Sequence, residues 1–216
     1  MAEEIIEQSY RELADTILQH NPGVDLGRVR AAFELADRAH SGQKRKAGTP
    51  YVTHCVAAAQ ICAEMGLDED SIVAALLHDC TKKLSMEEQL ALCEQYGIAL
   101  DELERKNLKL LHAKTGAAIA RDLFGVSDEI YWAIYWHTTG KADMTKLEKV
   151  IYLADYIEPS RDFPGVEKLR RAVHADLEHG LLMALEDSIE EMRQRGNPVH
   201  PNTVEARDYL LRGKNQ

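Results

Sequence analysis

Apolar residues recur along this chain at three- and four-residue intervals, and glycine and proline separate the runs they form. That spacing gathers side chains on one helix face, where a strand would alternate them between two. "AEEIIEQSYRELADTILQH" carries helix-spaced apolar positions and stops at "NPG". Asp25 can cap the next run, "LGRVRAAFELADRAH", which ends at Ser41-Gly42. "THCVAAAQICAEMG" closes on Gly66 as a C′ glycine. "EDSIVAALLHDC" sets Ile72, Leu76 and Cys80 on one inward row and Val73 and Leu77 on its neighbour. A helix over 176–195 presents Leu177, Leu181, Leu185, Ile189 and Met192 on one face. Ser85 with Glu88, Thr145 with Glu148 and Asn202 with Glu205 read as capping boxes, the last in its looser Asx form. Alternating β-branched runs and Asn-Gly turns are nearly missing. The pattern predicts an all-α fold in which residues 1–216 form one domain and residues 1–24 a helical extension at its start.

Composition narrows the function. A net charge of −10 leaves no broad basic stripe for a nucleic acid polymer. A small phosphorylated ligand needs only local cations, and these exist at Lys44, Arg45 and Lys46, at Lys82-Lys83, and at Lys114 and Arg161. No run of about 18 apolar residues predicts a membrane span. The opening "MAEEIIEQSY" lacks the basic and apolar regions of a signal peptide. Cys55, Cys62, Cys80 and Cys93 form no CxxC pair, which predicts reduced, buried thiols in a cytoplasmic protein.

The candidate chemistry lies in polar residues placed inside apolar runs. A His-Asp dipeptide alone says nothing, because nine His and fifteen Asp in 216 residues give roughly 0.6 by chance. His78-Asp79 keeps more telling company: His54, His112, His137 and Asp155 each sit in or beside the apolar run of a different predicted helix. Asp155 follows Val150, Ile151, Leu153 and Ala154, so its carboxylate should be at least half buried. Such a carboxylate needs a hydrogen-bond donor, an ion-pair partner or a divalent cation. Taken singly, His54, His112 and His137 read as core or helix-end imidazoles. His20, His40, His174 and His179 read as surface or helix-face residues. Adjacent helix residues diverge by about 100°, yet His78 and Asp79 can flank one ion. Two imidazoles and two carboxylates make a mixed nitrogen and oxygen set suited to Fe(II), Mn or Zn.

The order His54, His78-Asp79, Asp155 on helices resembles the HD superfamily of metal-dependent phosphohydrolases, and so implies an HD-domain helical bundle. The resemblance is twofold. Residues from about 9 to 80, including "ADRAHSGQKRKAGTPYVTHCVAAAQICAEMGLDEDSIVAALLHDC", resemble the hydrolase domain of RelA/SpoT proteins, which act on guanosine tetraphosphate. From "LLHDCTKKLSMEEQLALCEQYGIAL" through "LLHAKTGAAIA", "YWHTTGKADMTKLEKVIYLADYIEPSRDFPGVEKLR" and "VHPNTVEARDYLL", the chain resembles the YqeK family. Those are hydrolases that cut diadenosine tetraphosphate symmetrically into two ADP. The join falls near the His-Asp pair, as in a hybrid or a divergent member.

The resemblance implies a divalent metal, iron or in its place manganese, held by His54, His78, Asp79 and Asp155. His112 and His137 match family positions that contact phosphate, protonate the leaving group, or complete a second metal site. Thr138 follows His137 in the same motif. Asp79, Lys82 and His112 are the implied catalytic residues. Lys82, His112, His137, Thr138 and Arg161, with His200, Pro201, Asn202 and Thr203 of "HPNT", are the implied substrate contacts. Family analogy also implies a homodimer. Tyr51 departs from the YqeK pattern, which has arginine there, so Arg45 or Lys46 is expected to supply that contact. RelA/SpoT hydrolases place a Glu-Asp pair where this chain has Lys82 and Lys83, and an ammonium group cannot serve as a base while protonated. The leading expectation is therefore a symmetric dinucleoside-tetraphosphate hydrolase. The alternatives are a guanosine tetraphosphate 3′-pyrophosphohydrolase and a catalytically silent nucleotide-binding sensor.

Overall fold

The computed structural model describes residues 2–45 and 47–213. Among them eleven α-helices follow one another: α1 (Ala2–His20), α2 (Leu26–Ala39), α3 (Val52–Glu64), α4 (Glu69–Leu77), α5 (Met86–Gln95), α6 (Leu108–Phe124), α7 (Asp128–Tyr135), α8 (Lys146–Ile157), α9 (Val166–Ala175), α10 (Leu177–Gln194) and α11 (Pro201–Gly213). No strand occurs among the described residues; an isolated bridge pairs Lys44 with Pro50. None of these helices is long and apolar enough to cross a membrane.

Local signals place most helix ends. Asp25 accepts from Gly27 N–H, and the capping boxes at Ser85/Glu88 and Thr145/Glu148 are both formed. Gly66 adopts φ +65 just past α3, as a C′ residue should. The third box is not formed. Pro201 opens α11, and the Nδ1 of His200 accepts the Asn202 N–H at 3.2 Å, so His200 and not Asn202 caps that helix. Proline lacks an N–H, so the first donor that needs an acceptor is the Asn202 N–H, one residue further on.

Two apolar clusters organise the bundle. In the first, α3 and α4 pack on each other with α1 against α3, α2 against α4, and α7 and α8 closing the far side. Leu13 and Ile17 of α1 are fully buried there. The second joins α8, α9, α10 and α11 around Leu153, Leu169, Leu181 and Leu185. Helix α8 serves both, with Val150, Ile151 and Ala154 on one side and Tyr152, Leu153 and Ile157 on the other. Asp155 sits one turn beyond Ile151, on the side of the first cluster.

Helix α4 stops at Leu77, short of the Cys80 its periodicity predicts. From there the backbone bonds i to i−3: Cys80 N–H to Leu77 O, Lys82 N–H to Asp79 O, Leu84 N–H to Thr81 O. This winding is tighter than an α-helix and rotates successive side chains further apart. His78 and Asp79 therefore leave the helix through consecutive turns, against α6. The contact is close because Gly116 faces it: a Cβ there would lie 3.2 Å from His78 O.

Candidate metal centre

Ligand atoms of four residues from three elements converge at the turn after α4. His54 (α3), His78 and Asp79 (the turn) and Asp155 (α8) each offer one atom, and all four lie within 4.8 Å of one another. Asp79, His112 (α6) and His137 (just past α7) form a second such group. Asp79 links the two. Its Oδ2 is 3.4 Å from His54 Nε2 and 3.5 Å from His78 Nε2, while its Oδ1 is 3.0 Å from His112 Nε2 and 3.7 Å from His137 Nε2. His54 Nε2 also approaches Asp155 Oδ1 to 2.9 Å.

These approaches are ligand-like more than hydrogen-bonded. His54 Nε2, His78 Nε2 and Asp79 Oδ1 are buried and lack a partner of hydrogen-bond geometry, although charged atoms stand close by. Buried polar atoms aimed at one point without satisfying one another suit a cation between them. The far side of each ring supports this. His78 Nδ1–H donates to Ala75 O at 2.6 Å and His137 Nδ1–H to Ile134 O at 2.6 Å, while His54 Nδ1 lies 3.1 Å from Glu158 Oε1. A proton fixed on Nδ1 leaves the Nε2 lone pair pointing inward, the arrangement metal-binding imidazoles need. His112 differs: its Nδ1 is buried without a partner, and its Nε2 faces His137 Nε2 at 3.2 Å. Since His137 Nε2 is the acceptor, His112 carries its proton on Nε2.

The electrostatics favour positive charge at the first group. Burial opposes ionisation of Asp79, yet His78 and Lys82 hold its carboxyl well below the usual range; Arg161 and His54 do the same for Asp155. Burial likewise opposes charge on His78, but Asp79 and Asp155 push it up to about 10, so a metal cation binding there would displace the proton from Nε2. His137 goes the other way. Burial, with His78 and His112 nearby, brings it down to about 4 against the pull of Asp79, so it stays neutral.

Cations and polar groups surround the centre. Lys82 Nζ lies 2.8 Å from Asp79 Oδ2, and Arg161 pairs with Asp155 through its side chain while its Nε donates to Asp155 O at 2.7 Å. Thr81 Oγ1 donates to His112 O, Gln89 Nε2 to Thr81 O, and Thr115 Oγ1 to Gln89 Oε1, which ties the turn to α5 and α6. Periodicity did not single out these three buried residues. It also missed Glu158, whose signal was present: a glutamate one turn after Asp155 on a buried helix. Glu158 accepts from Ser160 N–H and Ser160 Oγ and pairs with Arg45 at 3.0 Å.

Several expectations change. His40 is 3% exposed and packs its ring 4.6 Å from that of Tyr51, so it is neither a surface nor a helix-face residue. Arg45 is engaged with Glu158; Lys46 lies outside the described residues. Lys114 is not available to a ligand, because Glu104 Oε1 holds it at 2.5 Å over the face of Tyr135. Within "HPNT", the His200 and Thr203 side chains have partners of their own. Thr203 Oγ1 donates to Thr139 O, joining α11 to the turn that holds His137, Thr138 and Thr139. His200 Nε2 points to Asp101 Oδ2 (3.4 Å) and Glu104 Oε1 (3.5 Å). That trio has a cation-site composition, but the lone pair on His200 Nδ1 already caps α11. Its proton must then sit on Nε2, which prevents ligation, and Lys114 supplies the cation.

The HD domain family matches residues 51–160, the stretch from Tyr51 to Ser160 that holds every ligand atom above. The symmetrical bis(5′-nucleosyl)-tetraphosphatase of Bacillus subtilis is 35% identical over 158 residues, 72% of this chain and 84% of that protein. The bifunctional (p)ppGpp synthase/hydrolase RelA of Mycobacterium tuberculosis is 50% identical, but over 58 residues, 27% of this chain and 8% of RelA. A crystal structure from Clostridium acetobutylicum, described as a predicted HD superfamily hydrolase involved in NAD metabolism, superposes with a TM-score of 0.76. It is 34% identical, and the match covers 85% of this chain and 97% of that one.

Proposed function

The chain belongs to the HD-domain family, and we propose that it is a metal-dependent hydrolase that cleaves diadenosine tetraphosphate symmetrically into two ADP. His54, His78, Asp79 and Asp155 would hold the cation, iron or manganese by the mixed character of the ligands. When bound, such a cation lowers the pKa of a water and polarises a phosphoryl oxygen.

The protein's own side chains do the rest. Lys82 and Arg161 flank the two carboxylates and can each turn a cation toward the polyphosphate, offsetting the charge that develops on its oxygens. Glu158 fixes the ring of His54. His112 carries a proton on Nε2 toward the shared space, and no acceptor on its Nδ1 locks that tautomer, so it is the group suited to donate to a phosphate oxygen. The leaving group is itself a phosphate and departs without an acid. His137, neutral and bonded to Ile134 O, is suited to ligation. A metal count separates the roles: one per chain if His112 donates, two if it ligates beside His137 and Asp79.

The observation that carries this reading over a guanosine tetraphosphate hydrolase is Lys82 on Asp79 at 2.8 Å. An ammonium stands where the RelA/SpoT type has a carboxylate for its hydrolytic step, and the similarity to RelA covers little of that protein. The test is a chelator-treated protein reloaded with Fe(II) or Mn(II) and given either nucleotide. ADP as the sole product from diadenosine tetraphosphate is expected. Release of pyrophosphate from guanosine tetraphosphate alone, or tight nucleotide binding without turnover, would overturn the reading.

A further inference from the structure

Asp79 is asked to do two things, since its two oxygens face different sets of imidazoles. A carboxylate in that position must not rotate. Its Oδ2 receives two donors besides the rings: Lys82 Nζ at 2.8 Å and the Tyr51 hydroxyl at 2.9 Å. The donors differ in kind. Lys82 ends a flexible four-carbon stem with 31% of its side chain exposed, so it is free to swing to an anionic substrate.

Tyr51 cannot follow it. Its backbone N–H is bonded to Gln43 O at 2.9 Å and it is the N-cap residue of α3. Its ring lies against His40 at 4.6 Å and edge-on to His54 at 5.4 Å, with Arg45 and Lys82 over it at 5.9 and 5.7 Å. His40 in turn is buried and braced by Gln43 through its Nδ1 at 2.8 Å. His40 and Gln43 thus anchor one hydroxyl on one carboxylate oxygen from outside the centre.

We propose that Tyr51 is a positioning residue of the metal centre: its hydroxyl is the fixed donor that holds Asp79 Oδ2 when Lys82 leaves for substrate, keeping Oδ1 directed at His112 and His137. The inference rests on reading the four-residue group as a cation site. Tyr51→Phe keeps the ring against His40 and removes only the donor. Mn(II) binding to the metal-free wild type and to Tyr51→Phe is measured by calorimetry, with the melting temperature of each metal-free protein recorded. The expected result is an affinity weakened about 10- to 100-fold, the range for an outer partner of a metal ligand, with an unchanged melting temperature. Affinity within twofold of wild type overturns the proposal. So does a weakened affinity accompanied by a lowered metal-free melting temperature, because the hydroxyl would then be supporting the fold. A wild type that binds no Mn(II) overturns the cation-site reading itself.

Discussion

The Nδ1 of His54 lies 3.1 Å from Oε1 of Glu158, a residue 104 positions further along the chain. Helix α3 supplies the ring and the end of α8 the carboxylate, so the ring's orientation depends on how two helices pack. Glu158→Gln keeps the shape of that side chain and removes its charge. Metal affinity should fall about 10- to 100-fold, with helix content unchanged. Mn(II) titration followed by circular dichroism checks it.

Asp79 faces six groups at once, four imidazoles with Lys82 and Tyr51, and no single neighbour can replace it. Asp79→Ala should abolish turnover and metal retention while leaving a folded helical protein. Metal analysis of the purified variant and its far-ultraviolet spectrum are the measurements. Full activity in that variant would show that the centre has been assigned to the wrong residues.

Gly116 lets α6 approach the turn carrying His78. A methyl group at this position would meet the His78 carbonyl oxygen at 3.2 Å, where backbone must yield. Gly116→Ala should cost about 1–3 kcal/mol by overpacking, offset in part by alanine's better helix propensity. It should also weaken metal binding, since the displaced atom belongs to a ligand residue. Denaturant melts of the metal-free protein and a metal titration separate the two effects.

Glu104 gives a pH dependence away from the metal centre. Burial works against its charge, but His200 and Lys114 hold its pKa at about 2, below the ordinary value of 4.5. A carboxylate with a depressed folded pKa stabilises above its unfolded value, and that stability disappears as pH falls from 4.5 toward 2. The displacement corresponds to on the order of 3 kcal/mol. Glu104→Gln should therefore be less stable at neutral pH, with the gap to wild type closing as pH falls through that window. Urea melts between pH 6 and 2.5 test it; parallel curves would remove Glu104 as the cause.

Much of the molecule was legible in advance because helices are local objects. Apolar spacing located α1, α2, α3 and α10, and side-chain caps at Asp25, Ser85 and Thr145 act within four residues of themselves. Asp155 could be picked out because a carboxylate inside "KVIYLADYI" is costly unless partnered. The failures share a cause as well. His40 and Lys114 look ordinary in sequence, and their placement comes from partners 11 and 10 residues away respectively. The end of α4 at Leu77 was missed because the apolar rhythm runs on to Cys80 while the turn is set by bonds to α5 and α6.

By itself, then, the sequence determined an all-helical chain and marked polar residues inside apolar runs with cations among them, since periodicity, capping and burial cost all act over a few positions; the ligand set itself came from the family resemblance. Only the tertiary structure decided which oxygen of Asp79 faces which imidazoles, that Glu158 orients His54, and that His200 caps a helix while Lys114 neutralises Glu104. Those are questions of distance and direction between helices, and packing of the whole bundle fixes them.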